Sequence, residues 1–114
     1  MQTPVTPTAA TRRLPYRIRR CDTFGTRLLG LMFRGRPLTD EAYHLVPCNS
    51  VHTFFMRFPI DVLFLDADSR VLRIVGGVEP WCVLPPVKGA VSVLELPAGA
   101  SEVQGIKIGQ TIEV

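Results

Sequence analysis

The segment SVHTFFMRFPIDVLFLD, residues 50 to 66, restricts the fold more than any other part of the chain. Alternate side chains of a β-strand share a face of the sheet. In the second half of this segment each face carries large apolar side chains, with Leu63 and Leu65 on one face and Ile60, Val62 and Phe64 on the other. Such a strand is typical of the centre of a sheet that is covered on both sides. The chain is therefore predicted to fold around a buried central strand.

A β-hairpin is predicted to begin at this strand. The apolar segment PIDVLFLD is separated from RVLRIVGGV by DADS, a short polar stretch that is typical of a turn. The register would pair the segment from Asp61 to Leu65 with the segment from Val71 to Val75.

Other segments predict further strands. They are YRIRRC as a short edge strand with its charges in water, AYHLVPC ended by Pro47, SVHTFFM, VSVLELP, and a final strand within IKIGQTIEV. The segment EPWCVLPPVKGA contains three Pro and one Gly and is predicted to be a loop. The chain is thus rich in short strands.

Two segments predict helix. Apolar residues at helical spacing between Asp22 and Gly35 indicate an N-terminal helix at about residues 23 to 33. The segment AGASEVQG predicts a short helical turn at about residues 99 to 104, closed by Gly105. The fold class is therefore mostly β with a minor helical part (α+β), a small sheet-based domain that forms a barrel or a sandwich-like sheet, with the helix covering an open end.

The length of 114 residues suits one domain with one core. Residues 1 to 14 are rich in Thr, Pro and Ala, so we expect a disordered tail there and a single β-rich domain over residues 15 to 114. Residues 1 to 21 form a basic leader with five Arg and no acidic residue. Nucleic-acid binding would also need basic residues clustered on one face of the folded domain, so we do not expect nucleic acid to be the partner.

The chain is expected to be cytoplasmic. No apolar run is long enough for a membrane span, and no hydrophobic segment follows the TRRLP motif as a secretion signal would require. Cys21, Cys48 and Cys82 are odd in number and widely spaced, which favours reduced thiols over a disulfide framework.

Three segments resemble one family. They are TxxxRxxGLMFR from Thr23, FFMRFPIDVLFLD from Phe54, and VLELPAGASEVQGIKIGQ from Val93. In the same order they resemble the domain of unknown function 192 family, over about residues 15 to 114. The resemblance implies a compact β-rich single domain without an established activity. In many relatives the middle motif reads Phe-Trp-Met-Lys followed by Asn, whereas this chain has Arg57 followed by Phe58, which retains the cation but lacks the amide.

Three ionisable residues, His52, Arg57 and Asp61, interrupt the apolar segment. An unpaired buried carboxylate is unfavourable, so Asp61 is predicted to pair with Arg57 or His52. These residues either satisfy one another in the core or face a ligand, since ionisable groups in apolar clefts are enriched at functional sites. His52 is either a hydrogen-bonded residue of the core or rim, or a proton shuttle.

Trp81 lies in the proline-rich loop. Its side chain either packs over the end of the fold or contacts a ligand at the mouth of a pocket. Glu95 shares a strand face with Val93 and could be a second site carboxylate near Asp61. It is a weaker candidate, because a Glu on an edge strand is more often exposed to solvent. His44, Cys48 and His52 are four residues apart and would not converge on one ion from an extended strand. We expect neither a metal site nor a cofactor.

Three functions remain open from the sequence. The leading hypothesis is a binding module for a small molecule or peptide, with a cleft bordered by His52, Arg57, Asp61 and Trp81. The second is a small hydrolase in which His52 is the base and Asp61 orients it. The third is a protein-interaction domain without a catalytic role.

Overall fold

A computed structural model of the chain describes residues 11–23, 25–26 and 31–114. These residues contain the following strands and helix, in chain order: β1 Thr11–Arg12, β2 Arg17–Cys21, β3 Glu41–Leu45, β4 Val51–His52, β5 Ile60–Leu65, β6 Val71–Val78, β7 Val83–Leu84, β8 Ser92–Pro97, α1 Ala100–Val103 and β9 Thr111–Ile112. The mostly β fold class is confirmed. No helix among the described residues has the length and apolar character needed to cross a membrane.

The main sheet has five strands in the order β2-β3-β8-β5-β6. Strands β2 and β3 are parallel, and the other neighbours are antiparallel. Strands β4 and β7 form one two-stranded sheet, and β1 and β9 form another. The predicted barrel is wrong within the part of the chain that is described, because the two edge strands, β2 and β6, do not pair with each other.

The main sheet buries apolar side chains on both faces. Strand β5 is completely buried, as its two apolar faces predict. The first core lies on the face of Ile60, Val62 and Phe64, and the β4-β7 sheet packs against it through Val51 and Leu84. The second core lies on the face of Leu63 and Leu65, where α1 contributes Ala100 and β9 contributes Ile112. The central strand therefore separates two cores.

The predicted hairpin is confirmed. Residues Val62 to Phe64 pair with Arg73 to Val75, and Leu65 pairs with Val71 after a register shift. Asp66 closes the turn because its side-chain Oδ1 accepts hydrogen bonds from the backbone N–H groups of Asp68 and Arg70, at 2.8 and 2.9 Å. The short helical turn at residues 99 to 104 is also confirmed as α1.

The N-terminal predictions have mixed outcomes. Of the predicted helix, residues 24 and 27–30 lie outside the described residues, residues 25–26 are helical, and residues 31–33 form turns rather than helix. Of the predicted tail, residues 1–10 lie outside the described residues, but residues 11–14 belong to the folded part. Thr11–Arg12 pairs with Thr111–Ile112, and Leu14 is 5% exposed in the second core. A parallel strand partner and a buried leucine supply the stabilisation that the composition of this segment did not predict.

Asp61 connects three elements of the fold. Its Oδ1 accepts hydrogen bonds from the backbone N–H groups of Gly77 at 2.9 Å and Gly99 at 3.0 Å. Its Oδ2 accepts from the backbone N–H of Ser101 at 2.9 Å and from the Ser101 hydroxyl at 2.6 Å. The residue before α1, Gly99, has no side chain to cap the helix, so the carboxylate of β5 takes that role from the neighbouring strand.

The environment of Asp61 favours its charged form. The side chain is completely buried, and burial alone would raise its pKa. The hydrogen bonds from Ser101, Gly77 and Gly99 outweigh that effect and hold the pKa of Asp61 below its usual value. Arg57, the predicted partner, is not among the groups that satisfy it. The predicted Asp61–Arg57 pair is therefore wrong, because backbone and hydroxyl donors occupy both carboxylate oxygens.

Replacing Asp61 with Asn should lower the free energy of unfolding by about 3 kcal/mol or more, because an amide nitrogen would face N–H donors and hydrogen bonds to a charged acceptor would be lost. Ser101→Ala should lower it by about 1 to 3 kcal/mol. Urea denaturation of each variant measures both effects. Asp68→Asn, at an exposed turn position, is the control and should stay within about 0.5 kcal/mol of the parent protein. A similar loss in the control would contradict the assigned role of Asp61.

Candidate functional site

The structure separates Asp61 from the other three predicted site residues. Asp61 is buried on the face of the main sheet covered by α1, whereas His52, in β4, belongs to the small sheet that packs on the opposite face. Arg57 is exposed, and Trp81 is 60% exposed. The predicted His52–Asp61 pair is wrong because all four hydrogen bonds to the carboxylate come from other groups. Asp61 thus supports the fold and does not border a cleft with the other three.

Three aromatic side chains with large exposed areas form one surface patch, which we call the aromatic surface: Phe33, Phe55 and Trp81, which are 58%, 46% and 60% exposed. The ring centroids of Phe33 and Phe55 lie 5.2 Å apart, and those of Phe55 and Trp81 lie 4.8 Å apart. Each pair is tilted, an arrangement that aromatic rings prefer over face-to-face stacking. The aromatic surface is therefore a continuous set of rings.

Two partly buried rings extend the aromatic surface at its Trp81 end. The ring centroid of Phe54 lies 5.8 Å from that of Trp81, and the ring centroid of His52 lies 4.9 Å from that of Phe54. His52 Nδ1 accepts a hydrogen bond from the backbone N–H of Phe54 at 3.3 Å. That contact fixes Nδ1 as the acceptor and leaves Nε2 as the nitrogen that carries the proton in neutral His52.

Thr53 holds together the two loops that carry the rings. Its side chain is completely buried, and its hydroxyl donates to the Glu79 carbonyl at 2.7 Å and accepts from the Cys82 N–H at 2.8 Å. Its carbonyl accepts from the Trp81 N–H at 2.9 Å. These bonds place Trp81 beside Phe55, although the two residues are far apart in the sequence.

All three residues of the aromatic surface have a left-handed backbone. The φ angles are 64° at Phe33, 64° at Phe55 and 66° at Trp81. Large side chains are unfavourable in this region of φ, and residues with such strain are concentrated at functional sites. The Phe33 N–H donates to the Phe55 carbonyl at 3.1 Å, so the strained positions also support each other. The fold therefore maintains an unfavourable backbone conformation at each residue that carries an exposed ring.

Glu95, the weaker candidate carboxylate, is not solvated but buried in β8, a strand inside the main sheet, on the face of Val93. Burial raises the pKa of Glu95 to about 7. Its Oε1 has no hydrogen-bond partner among the described residues. Sequence periodicity placed Glu95 on the correct face, but its burial comes from the neighbouring strands, where it pairs with Tyr43 of β3 and Val62 of β5.

His44 is a second buried titratable group in the main sheet. It pairs with Leu94 and therefore lies on the second-core face, opposite to Glu95. Burial, and next the charge of Arg20, lower the pKa of His44. His44 and Glu95 thus favour their neutral forms on opposite faces of the same sheet.

Sequence analysis identified Trp81 and His52 but missed Phe33 and Phe55. Phe33 stood in a predicted helix and Phe55 in a predicted strand, and neither pattern indicates that the two rings meet at the surface. The loop conformation instead turns both rings outward. The adjacent pair Phe54 and Phe55, in a segment that also contains Pro59, was the available signal, because two consecutive aromatic residues cannot both face one side of a strand.

Comparison with known proteins gives consistent matches. The profile of the DUF192 family, described as Uncharacterized ACR, matches residues 5–114. The UPF0127 protein of Pyrococcus furiosus is 34% identical over 101 residues, which are 84% of this chain and 84% of that protein. The UPF0127 protein of Pyrococcus horikoshii is 36% identical over 90 residues, which are 75% of this chain and 76% of that protein.

A solved structure has the same fold. It is the crystal structure of a protein of unknown function from Novosphingobium aromaticivorans, with a TM-score of 0.78 and 27% sequence identity. The alignment covers 87% of this chain and 75% of that chain. None of these relatives has a stated activity.

The strain at Trp81 predicts an unusual order of stability. Glycine adopts a left-handed φ without strain, so Trp81→Gly should be more stable to unfolding than Trp81→Ala by about 1 kcal/mol. At ordinary loop or strand positions alanine is the more stabilising of the two. Thermal denaturation of both variants tests the order, with Val83→Gly and Val83→Ala in the adjacent β7 as the control pair. An alanine variant more stable than the glycine variant at Trp81 would show that the backbone there is not strained.

The buried Glu95 predicts a pH dependence of stability. Between its ordinary pKa of 4.5 and about 7, the folded protein keeps a proton that the unfolded chain has lost, so its contribution to stability falls as pH rises. Across this window Glu95→Gln should gain about 3 kcal/mol relative to the parent protein. His44 acts in the opposite direction, but it is present in both proteins, so the difference between their urea denaturation curves isolates Glu95. Parallel pH profiles would contradict the assignment.

Proposed function

We propose that this chain, which belongs to the DUF192 family, is a binding module that holds a peptide on its aromatic surface. The observation that supports this most is the contact between three largely exposed rings, Phe33, Phe55 and Trp81. Exposed apolar patches mark interaction sites, and aromatic residues dominate the binding energy of many interfaces.

The strain and the hydrogen bonds support the same function. Left-handed φ angles at the three rings are unfavourable for the fold, yet the Thr53 contacts hold two of the loops in place. A surface that is already held in its binding conformation loses less conformational entropy when a ligand binds. Residues kept in an unfavourable conformation at an exposed patch are therefore better explained by binding than by stability.

A peptide suits this surface better than a compact small molecule. The rings stand on loops with about half or more of their area in solvent, whereas small-molecule sites are mostly concave and bury most of the ligand. An extended peptide can place its apolar side chains or prolines against successive rings. Arg57, exposed two residues after Phe55, supplies a cation for an acidic side chain or a terminal carboxylate.

The other two sequence hypotheses have less support. A hydrolase that uses His52 would need a group to orient the imidazole, and Asp61 has both oxygens occupied on the other side of the main sheet. Interaction through the basic leader, residues 1–21, would use arginines that already contact the folded domain: Arg12 donates to the Gln104 carbonyl at 2.7 Å, and Arg17 and Arg19 lie 3.5 and 3.6 Å from the Glu41 carboxylate. Neither hypothesis has an observation comparable to the aromatic surface.

We also infer that residues 11–114 act as one domain in the cytoplasm. The main sheet contributes side chains to both cores, which favours one cooperative unit. Cys21 and Cys82 are thiols rather than disulfide partners, as expected in a reducing compartment.

The test uses Trp81 as its own probe, since it is the only tryptophan in the sequence. Peptides are selected from a random displayed library on the parent protein and then titrated while Trp81 fluorescence is recorded. Binding should shift the emission to shorter wavelength and reduce quenching by acrylamide, because a peptide on the surface removes the indole from water. Phe55→Ala should weaken binding by about tenfold or more, a loss typical of a central aromatic contact.

Ile108→Ala is the matched control, because Ile108 is 66% exposed but does not belong to the aromatic surface. It should leave the affinity unchanged. Arg57→Gln should weaken peptides with an acidic residue and leave neutral peptides unaffected. Selected peptides that bind Phe55→Ala as well as the parent protein, without a change in Trp81 fluorescence, would disprove the proposed function.

A further inference from the structure

We propose that a second site, independent of the aromatic surface, binds a phosphate monoester. The site is an open cleft of about 420 Å³. Its lining includes three arginines and two acids, together with a threonine: Arg17, Arg34, Arg36, Asp40, Glu41 and Thr39. We call it the arginine cleft. Its volume lies in the range of small-molecule sites.

Glu41 positions the arginines of the cleft. Its carboxylate lies 3.5 Å from Arg17 Nη2 and 3.4 Å from Arg34 Nη1, and its side chain is only 13% exposed. Arg19, beside the cleft, approaches the same carboxylate at 3.6 Å. The three guanidinium groups repel one another, but each is attracted to the same carboxylate. Glu41 neutralises only one of the three positive charges and holds all three groups close together.

Arg34 is held by two further contacts. Its Nε donates to the Arg36 carbonyl at 2.9 Å, and its Nη1 donates to the Tyr43 hydroxyl at 3.4 Å. Its side chain is about two-thirds buried. A guanidinium fixed in this way loses little rotamer freedom when an anion arrives, which favours binding.

The lining of the arginine cleft has an excess of one positive charge, and the neighbouring Arg19 raises the excess to two. Arg17, Arg19, Arg34 and Arg36 face two acids, Asp40 and Glu41. Arg36 is exposed and forms no ion pair with any residue that the structure describes. Asp40 lies 3.7 Å from Arg17, and both side chains are more than 70% exposed, so this pair is weak. Arg36 is therefore available to an incoming anion, as are the N–H groups of Arg17 that do not face Glu41.

The excess charge matches a phosphate monoester. At neutral to alkaline pH such a group carries nearly two negative charges and has three acceptor oxygens, which suit the planar donor fork of arginine. A carboxylate or a phosphodiester carries one negative charge and would leave one arginine charge uncompensated. A free monoester is thus favoured over the diester backbone of a nucleic acid.

The experiment compares methyl phosphate with dimethyl phosphate, which differ by one charge and one methyl group. Both are titrated into isotopically labelled protein at about pH 8 and constant ionic strength, and amide signals are followed by NMR. Methyl phosphate should cause saturable shifts at residues 36–41 and bind about tenfold more tightly than dimethyl phosphate or acetate. Equal binding of the three anions would overturn the proposal.

Two substitutions with opposite expected effects test the residues. Arg36→Gln should weaken methyl phosphate binding about tenfold, whereas Asp40→Asn should strengthen it, because it removes a negative charge from the cleft. Arg73→Gln, which removes an exposed arginine of β6 outside the cleft, is the matched control and should have no effect. An equal loss in Arg36→Gln and Arg73→Gln, or shifts that do not saturate, would show a general charge effect and overturn the site. Trp81→Ala should not alter these affinities, so the result stands apart from the test of the aromatic surface.

Discussion

The carboxylate of Asp61 is the interaction on which the arrangement of the main sheet depends. It accepts hydrogen bonds from β6, from the residue before α1 and from α1 itself, and thus fixes a bulged edge strand and a helix to the central strand. Every donor except the Ser101 hydroxyl is a backbone N–H, so the network balances a buried charge without any cation. The hydrogen bonds to Asp61 all lie on the α1 face of β5. The opposite face of β5 carries only apolar side chains, and the small β4-β7 sheet packs against it, next to the loops that carry the aromatic surface.

The parts of the fold that depend on local sequence were predictable. Strand β5, its hairpin with β6, the edge strand β2 and the turn α1 all follow from periodicity, turn residues or caps within a short window. The partner of Asp61 was not predictable in this way. Arg57 was the nearest cation in the chain, but the true partners lie 16 to 40 residues away and are mostly backbone groups, which have no signature in side-chain identity.

The aromatic surface shows a second limit of sequence analysis. An apolar run is normally explained by burial, and Met56 and Phe58 are indeed buried in the first core. Phe55 lies between Phe54 and Met56 but points outward, because its left-handed φ interrupts the alternation of side chains. Backbone hydrogen bonds on both sides of Phe55 support that conformation: the Met56 N–H donates to the Thr53 carbonyl at 3.2 Å, and the Phe55 carbonyl accepts from the Phe33 N–H at 3.1 Å. The position of the ring is therefore a property of the folded loops and not of the local pattern.

The turn at residues 31–36 links the two proposed sites. Phe33 belongs to the aromatic surface, and the next residue, Arg34, belongs to the arginine cleft. Hydrogen bonds hold this turn at both sides, from the Phe33 N–H to the Phe55 carbonyl and from Arg34 to Tyr43 and Arg36. One peptide unit joins residues 33 and 34, so a backbone movement there would displace the ring and the guanidinium together. The two sites therefore differ in chemistry but share one turn of the backbone.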